Sequence, residues 1–136
     1  MSTPTTRYSF TKLIVNDLEK MSSFYAEAYD LEEVERIQSA IGADPIDEIM
    51  LGVDGNFENG LVLLKFVDKP APENGELILG FITDDVEAVY ERVLAAGGGV
   101  HAAIKQDAGS PYKVGFVRDP EGHLAEVVET VEPDKA

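Results

Sequence analysis

Apolar residues along the chain switch between two periodicities, and the switch happens twice. A strand-like run, Phe10–Val15, leads into the polar pair Asn16-Asp17. Behind it Leu18, Met21, Phe24, Tyr25 and Ala28 recur at the spacing of one helix face. A second run, Leu77–Thr83, leads into Asp84-Asp85, and Val86, Val89, Val93 and Leu94 repeat the helical spacing before Gly97-Gly98-Gly99 ends it. An offset of 68 residues lays Asn16-Asp17-Leu18-Glu19 over Asp84-Asp85-Val86-Glu87. In each copy the first residue, Asn16 or Asp84, is expected to cap the helix, with Glu19 or Glu87 reaching back to it.

Three short β signals follow each helix: Glu33–Ser39, Ile46–Val53 and Leu61–Val67, then Val100–Asp107, Tyr112–Arg118 and His123–Thr130. Turn residues separate them at Asp54-Gly55, Asn59-Gly60, Gly109-Ser110-Pro111 and Asp119-Pro120-Glu121-Gly122. The chain therefore reads as an α+β fold of two tandem βαβββ modules, about 8–67 and 76–130, joined by a proline-stiffened linker at 68–75. Within one domain, 1–136, the modules are expected to form a curved mixed sheet around a cleft, with the helices outside.

Composition narrows the chemistry. The 136 residues contain no cysteine, which excludes a disulfide scaffold, a cysteine zinc site and a thiol nucleophile. Eleven basic and 26 acidic residues give a formal charge of −15, with the acids evenly divided between the halves. Such a body repels nucleic acid and anionic membranes, so neither is an expected partner. The start, Met1-Ser2-Thr3-Pro4-Thr5-Thr6-Arg7, lacks the apolar core of a signal peptide, and the uncharged stretch Val93–Ile104 is too short and glycine-rich to span a bilayer. A cytoplasmic protein is expected. The triple glycine follows a helix rather than a strand, so it is no phosphate loop, and no serine sits on a nucleophile elbow.

Three segments carry a resemblance. Leu13-Ile14-Val15-Asn16-Asp17-Leu18 running to Phe24-Tyr25, Ile82-Thr83-Asp84-Asp85-Val86-Glu87 running to Gly97-Gly98, and Phe116-Val117-Arg118-Asp119-Pro120-Glu121-Gly122-His123 running to Glu126-Val127 resemble, in order and spacing, the vicinal oxygen chelate superfamily. That superfamily includes glyoxalase I, bleomycin-resistance proteins, fosfomycin-modifying enzymes and extradiol dioxygenases. The resemblance implies metal ligands on the first and last strand of each module. Here those positions look like Phe10, Leu63 (give or take a residue), Ile78 and Glu126. Only Glu126 offers a donor, so the shared metal site is expected to be missing, and no cofactor is expected. The histidines, His101 and His123, are not placed to replace it: a strand turns His123 away from Glu126.

Period two then defines the expected cleft lining. Phe10 and Ile14, Leu61 and Leu63, Ile78, Gly80 and Ile82, and Leu124 and Val128 form apolar walls around Lys12, Lys65 and Glu126, with Tyr8, Phe57, Tyr112 and Phe116 at the mouth. Leu13, Val15, Val62, Leu64, Phe66, Leu79 and Phe81 are then left to seat the helices. Glu126 is expected to pair with Lys12 or Lys65. Two functions fit this lining. One is a metal-free, homodimeric protein that binds a hydrophobic small molecule. The other is an isomerase or lyase using Glu126 with Lys12 or Lys65, or a metal held by ligands not recognised in the sequence.

Overall fold

The computed structural model describes residues 5–131; Met1-Ser2-Thr3-Pro4, the opening of the segment read as lacking a signal-peptide core, lie outside them. The elements are β1 (Thr11–Ile14), α1 (Leu18–Tyr29), β2 (Glu32–Ile41), β3 (Asp44–Val53), β4 (Asn56–Phe66), β5 (Ile78–Thr83), α2 (Val86–Ala95), β6 (Gly99–Lys105), β7 (Tyr112–Arg118) and β8 (Leu124–Thr130). This is βαβββ twice. The strands make two four-stranded mixed sheets, in orders β1-β4-β3-β2 and β5-β8-β7-β6. In each, the strand before the helix runs parallel to the last strand of its module, and the other pairs are antiparallel. A helical crossover permits that parallel pairing, whereas the hairpins that follow can only pair antiparallel. No helix among the described residues is long and apolar enough to cross a membrane.

The chain divides into two compact units: the chain through Ser22 with Asp30–Ala71, and Ser23–Tyr29 with the chain from Pro72 onward. In the first unit, Lys12 pairs beside Val62 and Ile14 beside Leu64, while Leu13 pairs beside Leu63. Neighbouring strand partners share a face. Lys12, Ile14, Val62 and Leu64 therefore lie on one side with Glu48 and Met50. Leu13, Leu61 and Leu63 lie on the other with Ile49 and Leu51, and Lys65 with Asp47. This corrects the expected lining. Leu61, Leu63 and Lys65 face away from Lys12 and Ile14, and Val62, Leu64 and Phe66, expected to seat the helices, lie on the Lys12 side instead. The run Leu61–Leu64 is buried on both faces, so it lacks the alternation that sets register.

Turn chemistry explains the local geometry. Asp54 and Gly55 both have positive φ, 53° and 73°, the pattern of a type I′ hairpin turn. Asn59-Gly60 is not a turn but lies inside β4, where a Cβ on residue 60 would stand only 2.5 Å from the Leu51 carbonyl oxygen, so glycine permits the close approach. The helix caps sit one residue later than expected. Asp17 accepts from the Lys20 amide and Asp85 from the Ala88 amide, while Asn16 accepts from Ala71. Glu19 and Glu87 pair with Arg36 and Lys113 instead of reaching back.

In the second unit, Val86, Val89 and Val93 of α2 are buried. Gly98 ends the helix in a tight turn, donating to the Val93 carbonyl, where any Cβ would strike Arg118 and Phe24. The Asp119–Gly122 turn closes with its Gly122 amide on the Asp119 carbonyl. The Asp119 carboxylate accepts the Glu121 and His123 amides, the Tyr25 hydroxyl at 2.7 Å and His123 Nδ1 at 2.7 Å. The Phe-Tyr and Asp-Pro-Glu-Gly segments thus meet in one buried network. His123 serves this network and is not an ordinary surface residue, while His101 is exposed.

Candidate functional site

On the second sheet Ile78 lies beside Leu124, Gly80 beside Glu126 and Ile82 beside Val128. Across β7, Phe116 lies beside Glu126 and Val114 beside Val128, and on β6 Ala102 lies beside Phe116. All therefore share one face. Over its β6–β8 side opens a cavity of about 340 Å³, lined by Ala102, Lys105, Tyr112, Val114, Phe116 and Glu126 among others. The apolar walls expected from sequence in this unit, Ile78, Gly80, Ile82, Leu124 and Val128, do not line the cavity, whereas Glu126 does. Ile78 and Ile82 project from the edge strand β5, Ile82 with 88% of its surface exposed. Tyr112 and Phe116, read as mouth residues, do line it.

The β6 side of the cavity is shaped by a side chain from the opposite face. The Tyr90 hydroxyl donates to the Ala102 carbonyl at 2.6 Å and accepts the Phe116 amide at 2.9 Å. Ala102 and Phe116 are register partners, so the phenol stands where a ladder hydrogen bond would run, and the register of β6 against β7 is irregular on both sides of Ala102. The slot exists because residue 115 is glycine; a Cβ there would overlap the Tyr90 ring. Burial pushes the Tyr90 phenol above its ordinary pKa. Neither the insertion nor Ala102 was visible in the sequence pattern, although a glycine within the strand run Tyr112–Arg118 is the kind of signal that marks a close approach.

Charge is distributed unevenly in the lining. At the rim Lys105 and Asp107 are 3.3 Å apart and offset one another. On the floor Glu126 has no ion-pair partner among the described residues. Lys12, expected to pair with Glu126, finds its carboxylate within its own unit. Lys12 Nζ lies 2.6 Å from Glu48 Oε1, and 6.0 Å from the Phe10 ring centroid. Glu48 is only 7% exposed. It escaped the sequence reading, although its place between Ile46 and Met50 on one strand face marks it as a buried acid. Lys65 donates to the Phe66 carbonyl and, with Asp17, Glu19, Arg36 and Asp47, borders a cavity of about 670 Å³ in the first unit. Its principal cation is answered: Arg36 donates to Glu19 at 2.6 Å and to Glu33 at 3.0 Å, and holds the Glu19 carboxyl below its ordinary pKa.

The metal implied by the resemblance does not fit the residues present. On the lining face of the second sheet Glu126 stands among Ile78, Gly80, Leu124 and Phe116, none of which has a side-chain donor. On the corresponding face of the first sheet the buried carboxylate, Glu48, is held by Lys12. One carboxylate does not hold a divalent ion against water. Asp85, Glu87 and Glu129 do gather their oxygens within 4.8 Å on the opposite face. They are occupied, however: Asp85 caps the Ala88 amide, Glu129 accepts the Val86 amide, and Glu87 lies 2.7 Å from Lys113.

Comparison with known proteins places this geometry. Residues 7–127 match the model of the Glyoxalase/Bleomycin resistance protein/Dioxygenase superfamily. A glyoxalase family protein from Bacillus cereus superposes with a TM-score of 0.81 at 18% identity, covering 96% of this chain and 97% of that one. A glyoxalase I variant from Zea mays gives 0.73 at 24% identity over 88% of this chain and 44% of that one. A variant of the fosfomycin resistance protein FosX from Listeria monocytogenes, solved with Mn(II) and 1S,2S-dihydroxypropylphosphonic acid, gives 0.67 at 19% identity over 90% of each. At these identities the likeness speaks for the fold. No curated protein matches the sequence.

Proposed function

The chain belongs to the Glyoxalase/Bleomycin resistance protein/Dioxygenase superfamily, and we propose that within it this protein binds a hydrophobic small molecule without the shared metal site. The cavity of about 340 Å³ on the second sheet carries this reading, because aromatic and aliphatic side chains line it around Glu126, with the Lys105–Asp107 pair at its rim. Pockets of that size and character are the usual seats of small ligands. Burial of a ligand there gains roughly 25 cal/mol per Å² of apolar surface before binding costs are subtracted. Loss of the metal site is supported by apolar residues at Phe10, Ile78 and the Leu63 region, where the family's ligands are implied. In this reading the protein works as a homodimer, an arrangement supported by the exposed Ile78 and Ile82 on edge strand β5.

A fragment screen by thermal shift and NMR tests the binding. Apolar aromatic fragments are expected to raise the melting temperature and shift the Phe116 and Tyr112 resonances. Ala102→Leu, which fills the cavity, is expected to weaken binding by about tenfold or more with an unchanged circular dichroism spectrum. Fragments that ignore the parent protein, or bind Ala102→Leu equally well, overturn the site. Elemental analysis finding about one divalent ion per chain, lost in Glu126→Gln, overturns the metal-free reading.

A further inference from the structure

Extending the proposed small-molecule reading, on which it rests, we infer that the cavity of the second unit selects an organic ammonium: a cationic amine carried on an aromatic or aliphatic body. The inference comes from comparing the two sheets within the molecule. On the first sheet the row across β1, β4 and β3 is Lys12, Val62 and Met50, and Glu48 lies one row along. Lys12 places its ammonium 2.6 Å from the Glu48 carboxylate and 6.0 Å from the Phe10 ring. A carboxylate and an aromatic ring are together what an alkylammonium seeks. There the chain satisfies them with its own lysine.

On the second sheet the same row, across β5, β8 and β7, is Gly80, Glu126 and Phe116. The carboxylate and the aromatic ring are again neighbours, and Tyr112 adds a second ring to the lining. The lysine is missing. Its place, 68 residues on, is Gly80, where a Cβ would meet nothing within 4 Å. Glu126 has no ion-pair partner among the described residues, and the rim pair Lys105–Asp107 offsets itself. The cavity thus presents one uncompensated negative charge beside aromatic faces, in a chain of formal charge −15 that draws cations toward it. A neutral ligand would leave that carboxylate facing apolar surface, and an anionic one would be repelled.

Calorimetric titration with 2-phenylethylammonium, 2-phenylethanol and phenylacetate tests this, since the three share a body and differ in charge. The ammonium is expected to bind about tenfold more tightly than the alcohol, with phenylacetate weakest. Glu126→Gln, isosteric and uncharged, is expected to bring the ammonium-to-alcohol ratio near one. Gly80→Lys, which restores the first-sheet arrangement, is expected to suppress ammonium binding in a folded protein. Equal binding of ammonium and alcohol to the parent, or a ratio unchanged in Glu126→Gln, overturns the charge preference while leaving the small-molecule reading standing. Failure of all three probes to bind overturns both.

Discussion

The two βαβββ modules share a backbone plan and differ in how they treat one face of their sheets. On the first, Lys12 closes against Glu48 among Val62, Leu64 and Met50, and the face supplies its own counter-charge. On the second, glycine stands where that lysine would be, Val114 stands in the row position of Glu48, and a carboxylate appears at Glu126. One copy is complete in itself and the other is left open. Two modules allow this division, because in each unit the opposite face is buried (Leu13, Ile49, Leu51 and Leu63 in one, Val117, Ala125 and Val127 in the other) and holds its sheet whichever residues the differing face carries. The open face is therefore free to change its chemistry without losing the sheet.

Breaking the closed face should have the largest effect. Lys12→Met keeps the length of the stem but strands Glu48, a buried carboxylate. The expected loss is about 2–3 kcal/mol in urea denaturation, below the usual range for a fully buried pair because Lys12 is itself 38% exposed. A loss under about 1 kcal/mol would mean that water already serves Glu48, and the contrast between the sheets would weaken.

The helices sharpen the same contrast. At the position where α1 carries Tyr25, α2 carries Val93, and only the tyrosine reaches a buried carboxylate, Asp119. Burial and the adjoining Asp119 charge push the Tyr25 phenol well above its ordinary pKa. The protonated form is thus the one the fold favours. Its contribution is fully present below about pH 10, where an unfolded tyrosine titrates, and is lost as pH rises above that. Tyr25→Phe is expected to cost about 1.5–2 kcal/mol at neutral pH and to make the alkaline loss shallower, with Tyr29 and Tyr90, also raised, supplying what slope remains. An identical alkaline profile in the variant would remove Tyr25 from the account.

The smallest effect is expected on the open face. Glu126→Gln should alter stability by no more than about 0.5 kcal/mol, since no partner is stranded by it. A loss above about 1 kcal/mol would reveal that Glu126 is engaged within the fold, and the asymmetry between Lys12–Glu48 and Glu126 would disappear. Read together, the Lys12→Met and Glu126→Gln denaturation curves measure how different the two faces are.

The two helices, the eight strands and the hairpin at Asp54-Gly55 were all legible in the sequence, because apolar period, turn chemistry and positive-φ residues act over a few neighbours. The strand ends moved by a few residues and the caps by one, since Asn16-Asp17 and Asp84-Asp85 each offer two candidates for a single cap. The second sheet's face could be counted off from Ile78 and Glu126, and β8 confirms it with alternating burial. The first could not, because Leu61-Val62-Leu63-Leu64 is buried on both sides and carries no parity for a reader to use. Glu48 as the partner of Lys12, and the place of the cavity, were decided by tertiary structure alone. The cavity depends on a phenol from α2 entering the ladder between Ala102 and Phe116 through the gap left by Gly115. That contact joins residues 12 and 26 positions apart in the chain, and local pattern holds no information about which distant side chain will fill a missing Cβ.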